Sequence, residues 1–491
     1  MREYLKQETN FALTENGGAA YATTGSDCLD LFSLIGAMRA QSDEQLCRMF
    51  DRAWAEDPDL AMKLLFFARD IRGGLGERRI FRTILRDQAG KHADAVRKNV
   101  ALIAEYGRFD DCLCLMGTPC ERAAIDVFRA QLDADLAALK NGEPVSLLAK
   151  WLPSVNATNK ETVKTAKNVA FFLGMRESEY RKTLTALRAQ IRLIENDLRR
   201  RDYCFDYEKQ PSRALFKYKK AFLRNDRDRY LDFLSRAERG EAKIHADNVA
   251  PYELAASFFD EYGSMRAMTS EQTRAINATW EQLPDFDGEE NALAVIDTSG
   301  SMHWTGIKPM PAAVALSLGL YFAQHNRGRF ANCFIEFSET PQLIELKGET
   351  FADRLCYAAS FCQVANTNLA AVFDLVLSAA QRHRLPQEEL PAKLVIVSDM
   401  EFDACVDDAS KTVFERARKR YAACGYRLPK VVFWNVAARH AHVPVTQNEQ
   451  GAALVSGVTP RIFSMVAGNA ASPYDLMLEI LSGERYRKIT A

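Results

Sequence analysis

A chain of 491 residues, 47% of them hydrophobic and with a formal charge of -1, is long enough for two or three domains with their own cores. The near-zero charge gives no global argument for a polyanionic partner, and no apolar run approaches the roughly 18 residues of a membrane span. The opening Met1-Arg-Glu-Tyr-Leu-Lys-Gln-Glu8 lacks the apolar core of a signal peptide, so a cytoplasmic address is expected, with the eleven cysteines as reduced, mostly buried thiols.

From about Asp27 to Ser270 the apolar period is helical. Asp43 to Glu56, Asp59 to Asp70 and Glu77 to Leu85 each carry apolar residues at helical spacing, with Gly or Pro between them. Short paired helices of this kind predict an α-solenoid of HEAT-like repeats, although no fixed period stands out. Between the second and third helices, Arg69, Arg72, Arg78 and Arg79 surround Gly73-Gly-Leu-Gly76. A phosphate loop would need the Walker spacing and a Lys-Ser/Thr pair, both missing, so a turn with a basic rim is expected, on which Arg72 remains available to a phosphate. Cys112, Cys114 and Cys120 have no nearby histidine and the wrong spacing for zinc. In Lys150-Trp-Leu-Pro-Ser154, Trp151 reads as a packing anchor and Lys150 as a side chain free to face a ligand.

A basic stretch follows. Arg188, Arg192, Arg199, Arg200 and Arg201 lie on a long helical segment, and Lys209, Arg213, Lys217, Lys219, Lys220, Arg224, Arg227 and Arg229 oppose only Asp226 and Asp228, a net +6 over 21 residues. Such side chains neutralise phosphates, and the interleaved Phe216, Tyr218 and Phe222 offer rings on which bases stack. The alternative is a solvated basic face with the phenylalanines in the core.

Leu283-Pro-Asp-Phe-Asp-Gly-Glu-Glu290 reads as an acidic linker, giving a helical region over 1–285 and a second domain over 286–491. In the latter, strand-like runs (Leu293 to Asp297, Phe330 to Phe337, Leu343 to Leu346, Leu394 to Asp399, Val431 to Val436, Ile462 to Val466) alternate with amphipathic segments (Ala312 to Gln324, Leu369 to Arg382, Ala409 to Cys424). That alternation predicts a doubly wound, Rossmann-like α/β sheet. Asp297, Ser299 and Ser301 place a carboxylate and two hydroxyls at i, i+2 and i+4 directly after the apolar run Ala292 to Ile296. Thr367, in the polar loop Ala365-Asn-Thr-Asn368, and Asp399, closing a second apolar strand, complete five oxygen donors. Hard oxygen ligands with few charges suit Mg²⁺, and ligands of open α/β sheets bind at the carboxyl ends of strands.

The pattern Asp297-x-Ser299-x-Ser301, then Thr367, then Asp399, resembles the metal-ion-dependent adhesion site (MIDAS) of von Willebrand factor A domains at all five positions. The resemblance implies that Ser299, Ser301 and Thr367 contact the metal directly or nearly so and that Asp297 and Asp399 hold it directly or through water; Mg²⁺ at such a site keeps a sixth position for an outside carboxylate or phosphate. Thr14-Glu-Asn-Gly-Gly18, Thr23-Thr-Gly25, Arg69 to Arg78, Tyr106 to Asp111, Ala149 to Ser154 and Tyr180 to Leu184 are similar to the signature blocks of a family that joins a helical region to a C-terminal A domain. That family resembles, more distantly, the TROVE module of Ro-like RNA-binding proteins, which implies a ring of helical repeats contacting structured or single-stranded RNA.

The expectation is therefore a non-enzymatic Ro-like RNA-binding protein whose A domain binds a divalent cation and an acidic ligand, without a membrane association. The alternative is a metal-dependent adaptor or scaffold acting with a partner complex such as an ATPase, without RNA. No catalytic constellation stands out: His303 and Trp304 follow the metal loop, and His440 and His442 would need a third ligand that the sequence does not supply.

Overall fold

The computed structural model describes residues 1, 9–191, 193–246, 249–260, 263–285, 291–304, 306–337, 339–362, 366–404, 412–468 and 470–491. Contacts divide the chain into two compact units: Met1–Ser42 with Tyr207–Gly483, and Asp43–Asp206 with Glu484–Ala491. These units do not follow the expected division at 285/286, and packing explains the difference.

The unit around Asp43–Asp206 is helical. The helix Asp43–Glu56 buries Leu46, Met49, Phe50 and Ala53, one stripe at i, i+3, i+4 and i+7. Pro58–Arg69 starts on Asp57, whose carboxylate accepts the Leu60 N–H at 2.9 Å, with Pro58 at the first helical position. Further helices span Arg79–Lys91, Glu121–Asn141, Lys160–Phe172 and Glu177–Gln190. The C-terminal residues complete this unit: the Tyr486 ring lies edge-on to Phe67 and stacked near Tyr106, and its hydroxyl donates to Asp70 at 3.0 Å.

The other unit holds the sheet. A small antiparallel pair, β1 (Phe11–Leu13) and β2 (Ala19–Tyr21), precedes the helix Asp27–Leu34. Six strands follow: β3 (Ala292–Asp297), β4 (Cys333–Phe337), β5 (Gln342–Glu345), β6 (Lys393–Ser398), β7 (Lys430–Asn435) and β8 (Ala452–Ser456). Their order is β5-β4-β3-β6-β7-β8, parallel except for the antiparallel edge strand β5. Because the chain runs outward from β3 to β4 and then returns to the other side with β6, the order reverses at β3, where such sheets open a crevice for ligands.

Both faces are covered, so β3 and β6 are buried along their whole length. Leu293, Val295, Ile335 and Phe337 point toward the helices Leu369–His383 and Val413–Ala423. On the opposite face Gly319 of the helix Pro311–His325 abuts Ile296, where a Cβ would come within 2.7 Å of the side chain. That helix is buried from Pro311 through Ala323 because a second layer lies outside it. There the Trp280 ring stacks on Phe351 at 3.8 Å, its Nε1 donates to Gln324 at 2.7 Å, and the Asn277 carboxamide accepts the Ala352 N–H at 3.0 Å. The helix Ser270–Trp280 thus packs onto the layer outside the sheet, and the helices from Ser212 onward belong to the unit of the sheet and not to the helical unit. The expected linker falls partly on 286–290, outside the described residues.

Two expectations need correction. Ile462 to Val466 is not a strand: Arg461–Met465 is helical, and the last strand is Ala452–Ser456. A five-residue apolar run has no periodicity to separate the two states, and here Pro460 at the cap position starts a helix. The ten cysteines described are free, as expected, but only Cys28, Cys112 and Cys120 are buried. Cys405, and residues 409–411 of the expected segment Ala409 to Cys424, lie outside the described residues.

Candidate functional site

The crevice at β3 brings Asp297, Ser299, Ser301 and Asp399 together. Asp297 closes β3 fully buried; its Oδ1 accepts the Ser299 N–H at 2.9 Å and its Oδ2 accepts the Ser398 hydroxyl at 2.6 Å. The hydroxyls of Ser299 and Ser301 are 3.2 Å apart. Asp399, 2% exposed, follows β6, and its Oδ1 accepts the Glu401 N–H at 3.2 Å. Thr367 is buried in the loop before the helix Leu369–His383, and its hydroxyl receives the Asn16 amide at 3.3 Å.

Burial first, and the neighbouring Asp399 second, push the Asp297 carboxyl up to about 7. Burial also raises Asp399, against the pull of the Arg439 guanidinium. Two buried carboxyls beside two hydroxyls, with only part of one compensated, form an oxygen-only donor set that lacks positive charge. This chemistry fits a hard divalent cation.

Sequence reasoning missed the side chains around this set. Arg439, after β7, holds Asp399 at 3.0 Å and Glu15 at 2.6 Å. Asn16 also donates to the Glu401 carbonyl at 2.6 Å, and the Glu15 N–H donates to the Glu401 carboxylate at 2.7 Å. The block Thr14–Gly18, read as a signature, is therefore a strap across the crevice, and Gly18 is required because a Cβ there would sit 2.4 Å from the Phe402 carbonyl. Ser301, His303, Trp304, Glu15, Arg439 and His440 line a cavity of about 660 Å³ at the mouth. His303 Nε2 is buried with no hydrogen-bond partner among the described residues, and burial lowers the imidazole pKa. No sequence signal links residues 14–16 to positions nearly 400 residues away.

The basic residues fall on both units. In the helix Ser212–Asn225, Lys217, Lys220 and Arg224 are exposed at i, i+3 and i+7, one stripe with no acidic partner among the described residues. Arg213 instead pairs with Glu253, and Arg227 with Glu271. Lys219 is partly buried over the Phe216 ring at 3.6 Å, and burial lowers its pKa to about 8. Phe222 is fully buried among Tyr207 and Tyr230, as core and not as a base platform. Lys209 is exposed before the helix.

On the helical unit, Arg188 donates to the Ala149 and Leu152 carbonyls, both at 2.8 Å, and to the Ser154 hydroxyl at 2.7 Å. It clamps the turn that carries Lys150 and Trp151 and is not a free phosphate ligand. Lys150 and Arg108 both lie over the Trp151 ring, at 5.4 and 3.7 Å. Arg72 is exposed and donates to the Glu105 carbonyl. Arg192 lies outside the described residues. The loop Gly73 to Gly76 is no phosphate cradle: its Gly74 and Gly76 amides point to the Asp70 carbonyl at 3.2 Å. Arg69 is buried against Asp111 at 2.7 Å, and Asp111 also receives Arg82 at 2.6 Å and the Arg108 N–H at 2.9 Å. The signature blocks at 69–78 and 106–111 thus form one ionic framework holding helices together.

Among the described residues, no helix is long and apolar enough to cross a membrane. Residues 14–107 and 122–285, slightly more than half of the chain, match the family described as Domain of unknown function (DUF2828). Residues 291–473 match Domain of unknown function (DUF7788). The chain is 28% identical over 515 aligned positions to Uncharacterized protein L728 of Acanthamoeba polyphaga mimivirus, covering 96% of this chain and 87% of that protein. Superposition on the crystal structure of the Ro (RSR) protein of Deinococcus radiodurans covers 93% of each chain at 15% identity, with a TM-score of 0.34, too low to establish a shared fold.

Proposed function

The chain belongs to the DUF2828 family, and we propose that this member is a non-enzymatic binding protein that takes an acidic ligand through a divalent cation at the sheet crevice. The observation that carries the reading is the buried pair Asp297 and Asp399 with the Ser299 and Ser301 hydroxyls beside them, a donor set short of positive charge. Asp297, Ser299, Ser301, Thr367 and Asp399 would hold Mg²⁺ in the manner of a von Willebrand factor A adhesion site, and the cation supplies the charge that receives a carboxylate.

The walls of the mouth support an acidic ligand. Arg439 reaches a carboxylate of the strap, Glu15, at 2.6 Å, and the buried His303 Nε2 behind the mouth has no hydrogen-bond partner among the described residues. Glu15 is half exposed, so an outside carboxylate competes with it for Arg439 at modest cost. Binding of an aspartate-rich peptide to the full chain, with and without a chelator, tests the reading. Mg²⁺-dependent binding lost on Asp297→Ala supports it; binding indifferent to Mg²⁺ and to that substitution rejects it.

A second reading rests on the exposed stripe Lys217, Lys220 and Arg224. Three cations on one helical face with no acidic partner among the described residues fit a phosphate backbone, and RNA is the partner proposed for this face. It is independent of the cation site, and without it the protein is a metal-dependent adaptor.

A further inference from the structure

Next to the oxygen site lies a group of different chemistry. Glu401, two residues beyond Asp399, is 1% exposed and faces two imidazoles of the loop after β7. Its Oε1 is 2.8 Å from His440 Nδ1 and its Oε2 is 3.5 Å from His442 Nε2. One donor atom from each of the three lies within 4.8 Å of the others, and the two rings are near-parallel with centroids 5.9 Å apart. The third ligand missing from the sequence around His440 and His442 is thus delivered from the end of the neighbouring strand β6.

We propose that Glu401, His440 and His442 form a second cation site, selective for a zinc-class transition metal. Two imidazole nitrogens and one carboxylate oxygen are a borderline donor set that prefers Zn²⁺ over Mg²⁺, the opposite of the oxygen-only set at Asp297. Three protein ligands leave a fourth tetrahedral position for water or a ligand atom, the open kind of zinc site and not the closed structural kind. Ligand atoms about 2.0–2.1 Å from zinc stand roughly 3.3 Å apart, so the group must contract. His440 supplies that movement, since its side chain is 54% exposed and lines the cavity at the crevice mouth, where an ion enters.

The surroundings orient the buried members. The Glu15 N–H occupies Glu401 Oε2 at 2.7 Å and turns Oε1 toward His440. His442 Nε2 lies 3.3 Å from the Met400 carbonyl, and metal binding exchanges that contact for a stronger bond. The strap therefore contacts both sites: Asn16 meets Thr367, and Glu15 meets Glu401 and Arg439.

The full chain, free of any polyhistidine tag and stripped with a chelator, is titrated with Co²⁺, read by the visible absorption of a four-coordinate site. Zn²⁺ affinity is then measured against a chromophoric chelator. One Co²⁺ displaced by Zn²⁺ is expected, with affinity at least tenfold weaker in His440→Ala and in His442→Ala and within threefold of the original in Asp297→Ala. Failure of the stripped chain to bind Co²⁺ and Zn²⁺ overturns the proposal. So does unchanged affinity in His440→Ala, a half-exposed position whose truncation leaves the fold intact, or loss of binding in Asp297→Ala with both histidine variants unaffected. The last result would put the ion at the oxygen site.

Discussion

Replacing Asp297 by Asn separates the cost of the metal-free crevice from its use. Burial and Asp399 hold the Asp297 carboxyl at about 7 in the folded chain, against 3.8 as its ordinary value. A folded-state pKa raised above the unfolded one means the native state binds more protons between roughly pH 4 and 7. Metal-free stability therefore falls as pH rises through that window and stays low above it. The full difference corresponds to on the order of 4 kcal/mol. The Asp297→Asn substitution, neutral at every pH, removes this cost, which is already net of the bonds from the Ser299 N–H and the Ser398 hydroxyl, so the variant should gain a few kcal/mol at pH 8. In chelator at pH 8 the Asp297→Asn chain should melt a few degrees higher than the original, and the advantage should vanish near pH 4. With Mg²⁺ at about 100 times its Kd the original chain gains about 2.7 kcal/mol, while the variant gains nothing. Thermal melts with and without Mg²⁺ at both pH values read all four quantities. A variant less stable than the original in chelator at pH 8 would mean that Asp297 carries no uncompensated charge, and one that keeps the Mg²⁺ gain would mean that Asp297 does not hold the cation.

Removing the strap's carboxylate by Glu15→Gln frees Arg439 while keeping the main-chain bond to Glu401, and affinity for an aspartate-rich peptide should rise about two- to fivefold by fluorescence titration. Changing Lys217, Lys220 and Arg224 together to Ala should weaken single-stranded RNA binding and lower the slope of log affinity against log salt by about 2 in filter-binding assays; an unaltered slope removes this face from consideration. Asp111→Ala leaves the buried Arg69 guanidinium uncompensated and should cost about 3–5 kcal/mol in urea unfolding of the helical unit. A loss under 1 kcal/mol would contradict the framework role.

The donors of the crevice were legible because each sits where a local pattern ends: Asp297 and Asp399 close apolar runs, and Ser299 and Ser301 follow at fixed spacing. The alternation of strands and helices likewise gave the α/β sheet, apart from the short run Ile462 to Val466. What remained hidden is long-range. Glu401 and the pair His440 and His442 come from the ends of adjacent strands β6 and β7, and only sheet order puts them together. Glu15 and Asn16 reach the crevice from the other end of the chain. Charge counting over Lys209 to Arg229 likewise gave a net charge but not its partners, since Glu253 and Glu271, which pair with Arg213 and Arg227, are supplied by other helices.

Calorimetric titration of Mg²⁺ into the chelator-stripped full chain and its Ser299→Ala/Ser301→Ala variant asks whether the crevice at β3 holds a cation. The original chain should bind one Mg²⁺, and the variant should bind it at least tenfold more weakly. Equal Mg²⁺ binding by both, or no binding by either at millimolar concentration, would contradict a cation site there.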